Sequence, residues 1–181
     1  MNEKIQRMIE ECKRQEESCL YTSASLFEWL KALRYWRVAF ITLPIVLGAV
    51  AAAPILIKQS GLDWLTALCA LLAGVFPAVY KGLDWDINLK SVADSANGFK
   101  TLQDRFRRAW SIAALEAADE FHATFDDLMN RMDAVRSTSL TAPERYFMKA
   151  KAKIEAGHYR FIVDDDDIRG QNEMQATGEW K

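Results

Sequence analysis

Residues 38–57 read VAFITLPIVLGAVAAAPILI and residues 64–80 read WLTALCALLAGVFPAVY, and neither stretch holds one charged side chain. As a helix the first is about 30 Å long, which matches the hydrocarbon thickness of a bilayer. The link between them, Lys58-Gln59-Ser60-Gly61-Leu62-Asp63, leaves room only for a tight antiparallel return. The expected architecture is therefore an all-α membrane protein built on a two-helix transmembrane hairpin. A soluble domain with two buried core helices is the competing reading of such runs. The overall mean hydropathy of −0.13 looks soluble, but it averages the hairpin with a polar remainder, and the local window is the better guide. A secretory signal is not expected, because a charge-rich segment of 37 residues precedes the first run.

The flanks orient the hairpin. Lys31, Arg34 and Arg37 precede the first run and Lys81 and Lys90 follow the second, whereas the link holds one lysine and one aspartate. Positive charge on both outer flanks places both termini in the cytoplasm. Tyr35, Trp36, Trp64, Tyr80 and Trp85 sit at the edges of the runs, where amphipathic rings anchor at headgroup depth.

Composition narrows the classes further. The chain has 181 residues and a formal charge of −2. That length suits one small unit, and near-neutral charge gives no reason to invoke nucleic acid. Three cysteines, Cys12, Cys19 and Cys69, do not make a structural zinc site by themselves. Cys12 and Cys19 share one helix face and read as small apolar packing residues in a reducing compartment.

Outside the hairpin the periodicity is helical. Ile5, Met8, Ile9, Cys12, Cys19, Leu20, Phe27, Leu30 and Leu33 recur mostly by threes, fours and their sums, with a weak turn at Gln15 to Glu17. Residues 1–37 are thus an amphipathic cytoplasmic helix entering the first span, residues 38–57. An external loop, 58–63, and the second span, 64–80, follow. Phe99, Leu102, Phe106, Ala109, Ala113, Ala117, Phe121, Phe125, Leu128, Met132 and Val135 then step by three or four without a proline. This predicts one long helix over 81–136, coiled-coil-like or part of a bundle, with Gly82 and Gly98 as its weak points. Ser137 to Thr141 is a connector. Thr141-Ala142-Pro143-Glu144 resembles a helix start, with Thr141 as cap, for a short helix within 141–157. The tail 164–181, opening on four aspartates with Asp164, has little apolar content and reads as mobile.

Chemistry is sparse. His122 and Asp126 are four apart on one helix face, half of a metal site at most. Glu116, Asp119 and Glu120 look like a solvent face. There is no Gly-rich phosphate loop, nucleophile elbow or HExxH. The expectation is a protein that is not an enzyme, with no cofactor and no metal.

Within the spans, Ala70, Gly74 and Ala78 repeat at four-residue spacing, and Gly48 and Ala52 make a similar pair. Small side chains let helices approach closely, either within the hairpin or between subunits. Pro44, Pro54 and Pro77 each remove a backbone donor and are candidate bends. The absence of ionisable groups argues against a proton relay or coupled transporter. A pore remains compatible, since apolar constrictions gate by dewetting and charges sit at the mouths. Asp63 lies at the outer mouth, and Asp84 and Asp86, beside Lys81, at the inner one. One hairpin encloses no water path, so several copies are needed, about four or more for helices about 10 Å across.

Tyr21-Thr22-Ser23-Ala24-Ser25, Leu26 to Trp36, Arg37 into a proline-containing span, then Ser91, Ala93, Asn97, Phe99-Lys100, Leu102 and Arg105-Phe106-Arg107-Arg108 carry a family likeness. Over roughly residues 5 to 160 the chain resembles the SLATT domains, two-helix membrane effectors of bacterial conflict systems. The resemblance implies an oligomeric, pore-forming or membrane-disrupting effector of the bacterial inner membrane, acting in anti-phage defence. It also implies triggering by a nucleotide-sensing or second-messenger-producing partner, since no nucleotide-binding module is recognisable in this chain. Arg105, Arg107 and Arg108 are candidates for phosphate contacts, or a plain salt-bridged helix face.

Overall fold

A single helix, α1, runs from Glu3 to Ile57. At 1.5 Å per residue it is about 80 Å long, far longer than any compact core requires. This is a computed structural model, and it describes residues 3–57, 63–82, 84–112 and 118–159, the side chains of 54–57, 85 and 87 excepted. Along α1 follow α2 (Asp63–Gly82), α3 (Trp85–Ser111), α4 (Ala118–Thr138) and α5 (Glu144–Glu155). The described residues contain helices and turns and no strand.

α1 passes through Gln15 to Glu17 without interruption. That polar patch is a docking point rather than a turn. Gln15 is buried, donates to Glu11 and accepts from Arg136 of α4 at 3.1 Å.

The single helix expected over 81–136 is divided. α2 ends at Gly82, and Asp84 adopts the left-handed conformation with φ 45° and ψ 40°. Short polar side chains such as Asp tolerate that region better than most. α3 then ends at Ser111, where the Ile112 N–H bonds back to the Arg108 carbonyl at 2.9 Å. α4 runs back along α3, and Gly98 faces Val135 so closely that a Cβ would meet Cγ1 at 3.3 Å. The apolar period therefore continues through both arms because each arm's stripe faces the same core. Period reports the buried face, not the point where the chain reverses. Ala113, Glu116 and Ala117 of that stretch lie outside the described residues.

The core gathers Cys12, Cys19, Leu26 and Leu30 of α1, Val92, Ala96, Phe99, Leu102, Phe106 and Ala109 of α3, and Phe121, Leu128 and Met132 of α4. Burying each large apolar side chain contributes about 1.5–3 kcal/mol, so this cluster holds the three helices together. Cys19 Sγ lies 3.8 Å from Met132 Sδ, and Trp110 donates its indole N–H to Glu16 at 2.5 Å. α5 starts at Glu144 with Pro143 in the cap position and no side-chain cap bond, so Thr141 does not cap it. The carbonyl of Pro143 accepts from Tyr146 N–H instead. Gly157, at φ 83°, turns the chain after α5. The tail 164–181 and residues 58–62 lie outside the described residues.

Candidate functional site

Above Arg34 the same α1 loses its neighbours. Tyr35, Trp36, Val38, Ile41, Leu43, Ile45, Val46 and Val50 are exposed, Ile45 by 67 %. α2 matches it, with Trp64, Leu68, Leu71, Leu72, Val75 and Val79 exposed and Leu71 at 65 %. In each helix only 6 % of the most apolar 18-residue stretch is buried. An apolar helix forming the centre of a soluble domain would be mostly covered.

The two helices pair antiparallel along one narrow seam. Half-buried or buried positions on α1 from Arg37 to Ala51 are Arg37, Phe40, Pro44, Leu47 and Ala51, a helical three–four repeat, with Ala39 half-buried beside it. On α2 they are Leu65, Thr66, Cys69, Ala73, Phe76 and Tyr80. Phe40 and Phe76 meet edge-on with ring centroids 5.6 Å apart. Close approach thus uses Ala51, Cys69 and Ala73. Gly48, Ala52, Ala70, Gly74 and Ala78 all face outward, and a Cβ on Gly48 or Gly74 would meet nothing within 4 Å. The small-residue stripe read from the sequence therefore lies about 100° around the helix from the seam. Of its two readings, packing within the hairpin is not what this arrangement uses. The sequence held no signal to separate them, because small residues recur on both faces. Neither helix breaks at its prolines: Pro44 is half-buried in α1 and Pro77 exposed in α2. Pro54 falls within α1, and its side chain lies outside the described residues.

At the foot of the seam three helices are tied by one polar cluster. Arg37 of α1 pairs with Asp86 of α3 at 3.0 Å and donates from Nε to Tyr80 Oη of α2 at 3.3 Å. The Tyr80 hydroxyl donates in turn to Asp86 at 3.1 Å. Asp84 and Asp86, grouped together by the sequence reading, thus differ. Asp86 is neutralised by Arg37, whereas Asp84 supplies the left-handed turn and keeps an exposed side chain. Asp63 is exposed in the first turn of α2, at the opposite end of the seam.

A second polar cluster was not legible from spacing. Glu28 of α1 is 1 % exposed, deep among Ser25, Leu26 and Leu30. Lys31 and Lys153 donate to its Oε1 at 2.8 and 2.6 Å. Lys149 stands 3.1 Å from Oε2 as an ion pair, off the geometry of a hydrogen bond. Burial alone would raise the carboxyl pKa, but Lys153, Lys31 and Lys149 together outweigh it and hold Glu28 at about 2. This cluster, with the Tyr21–Phe147 ring contact at 6.2 Å, seats α5 on α1. The available signal was a lone carboxylate among Leu26, Phe27, Trp29 and Leu30, apolar residues that surround it on more than one helix face.

Elsewhere the chemistry is quiet. Burial pushes the Cys12 thiol up to about 11 and the Cys19 thiol up to about 12, so both stay protonated and unreactive. Cys69 is buried in the seam as a free thiol. His122 Nδ1 lies 3.0 Å from Asp126, both largely exposed. No group of three His, Cys, Asp or Glu side chains converges among the described residues. Arg105 and Arg108 line an open groove of about 530 Å³ between α3 and α4, alongside Asp104 and Asp127. Each acidic neighbour already has a partner, Lys100 for Asp104 and Arg131 for Asp127.

Among the described residues these features define a helical protein with two helices long and apolar enough to cross a membrane. No family model, no curated protein and no solved structure matches the chain.

Proposed function

We propose that this chain is a membrane protein whose hairpin, α1 from Val38 and α2, spans a bilayer, with the packed half and both termini in the cytoplasm. The observation that carries this reading is the change of exposure along one unbroken helix. The face of α1 that carries Cys12, Cys19, Leu26 and Leu30 is buried by protein, whereas Val38 to Val50 is apolar and covered only along the seam with α2. Lipid is the solvent that accepts such a surface on all sides. Arg37, Lys81 and Arg34 at the foot of the seam agree with a cytoplasmic side there.

The outward stripe of Gly48, Ala52, Ala70, Gly74 and Ala78 suits association of several copies, since small side chains allow close helix contact in lipid. An oligomer of hairpins supports a pore-forming or membrane-disrupting effector of the bacterial inner membrane. The resemblance to SLATT domains supports the remainder of this reading, an anti-phage role triggered by a nucleotide-signalling or other sensor partner. The test is inducible expression together with the triggering system. Collapse of the membrane potential is expected in cells holding inserted protein. Normal potential in fully activated cells sinks the pore. Gly74→Leu is expected to lower conduction and oligomer yield while leaving insertion intact.

A second reading is favoured by the packed half itself. Open grooves of about 530 Å³ flank α3 on two sides, one lined by Arg105 and Arg108 and one by Lys90, Asp94 and Gly98. They suit a non-conducting scaffold that is tethered by its hairpin and recruits partners. Purified protein in liposomes separates the two: ion leakage supports the pore, and tight vesicles carrying oligomeric protein support the scaffold.

A further inference from the structure

α5 is laid on α1 in a defined direction. Phe147 meets Tyr21, while Lys153, six residues later, meets Glu28, seven residues later. The two helices therefore run parallel, and the C-terminal end of α5 points toward the bare apolar stretch.

One carboxylate there holds three ammonium groups. Lys31, Lys149 and Lys153 all lie within 3.1 Å of Glu28, and their side chains remain 63, 60 and 37 % exposed. Glu28 compensates one positive charge, so the cluster keeps an excess of two. Each ammonium has three donors, and Glu28 occupies few of them. The buried carboxylate fixes where the lysines stand, and their free donors face solvent. Lys31 is seven residues before Val38, about 10 Å along the helix axis. That gap is close to the screening length of about 8 Å at physiological ionic strength, and long lysine stems shorten it.

We propose that Lys31, Lys149 and Lys153, positioned by Glu28, form a docking surface for anionic phospholipid headgroups, so that the C-terminal end of α5 is tied both to α1 and to the membrane surface. This rests on the membrane reading above. It adds a sensitivity that the hairpin lacks: the uncharged spans do not distinguish one headgroup from another, whereas the lysine cluster does. The occupant follows from charge complementarity and from position beside the apolar stretch.

The experiment places the full chain in nanodiscs of phosphatidylcholine alone, or of phosphatidylcholine with phosphatidylglycerol, and follows amide hydrogen exchange. Exchange across Glu144–Glu155 is expected to be at least about fivefold slower with the anionic lipid, and the difference should collapse in 1 M salt. Lys31→Gln leaves Lys149 and Lys153 on Glu28, so α5 stays seated while the lipid effect shrinks. Equal exchange in the two discs, with residues 38–57 protected in both, overturns the docking surface and leaves the membrane reading standing. An undiminished lipid effect in Lys31→Gln overturns the assignment to this cluster. Equivalent slowing by inorganic phosphate in phosphatidylcholine discs overturns the commitment to lipid. Free exchange of residues 38–57 in both discs overturns the membrane reading and this surface with it.

Discussion

The lower and upper halves of α1 are one helix with opposite solvents. Below Arg34 it is covered by α3, α4 and α5, and even a carboxylate, Glu28, is taken inside. Above Arg34 its side chains are more apolar, yet they are covered only along the seam with α2. In an aqueous protein the more apolar half would be the better-buried half. The inversion teaches that hydropathy and burial separate where a chain leaves water. Side chains in the packed half hold each other, and those in the bare half hold only their neighbours on α2.

The largest expected effect breaks the packed half alone. Phe106→Ala empties the centre of the core and should cost about 3–5 kcal/mol, seen as a lowered urea midpoint of the α3 and α4 signals. Insertion of the hairpin should be unchanged by carbonate extraction. Leu71→Asp is the converse, with about 3 kcal/mol against insertion near the middle of α2 and no change in that urea midpoint. A substitution that moved both readouts together would show the two halves to be one soluble core.

Glu28→Gln comes next, at about 2 kcal/mol for losing charge-assisted bonds in a buried place, discounted because the lysine partners are partly exposed. The linkage has a definite sign. The folded carboxyl titrates at about 2 against an ordinary 4.5, so its contribution is present above pH 4.5 and lost as pH falls from there toward 2. The urea midpoint followed through that window should drop in the wild type and stay flatter in Glu28→Gln. Gly98→Ala is smaller, about 1 kcal/mol of lost stability. The gain in helix propensity is outweighed by the 3.3 Å approach to Val135. In a Val135→Ala background the same change should stabilise, so thermal unfolding of the four-member cycle reports the coupling. Arg37→Gln should leave thermal stability near wild type, since its ion-pair partner Asp86 is exposed. Its readout is loosened proteolytic protection around Gly82 to Asp84.

Much of this was legible. Two uncharged runs marked α2 and the upper part of α1, and steps of three and four marked the faces of α1, α3 and α4. Cys12 and Cys19 were readable as packing residues because a helix face is a local property. The division of 81–136 was not readable. Residues 113–117, AALEA, are good helix formers, and a stripe looks the same whether its helix continues or folds back on itself. The seam was missed for a related reason. A shift of one position moves a helix face by about 100°, and Ala73 is a small residue like Ala70 beside it on the neighbouring face.

By itself the sequence determined which segments are helical and which side of each is apolar, because propensity and periodicity act over a few neighbouring residues. Only the tertiary structure decided that α4 turns back onto α3 and that Cys69 and Ala73, rather than Ala70 and Gly74, meet α1. It also decided that Asp86 belongs to Arg37, and that Glu28 gathers lysines from 121 and 125 positions away. Those outcomes depend on which faces meet in space, and the spacing of residues along a single helix does not encode it.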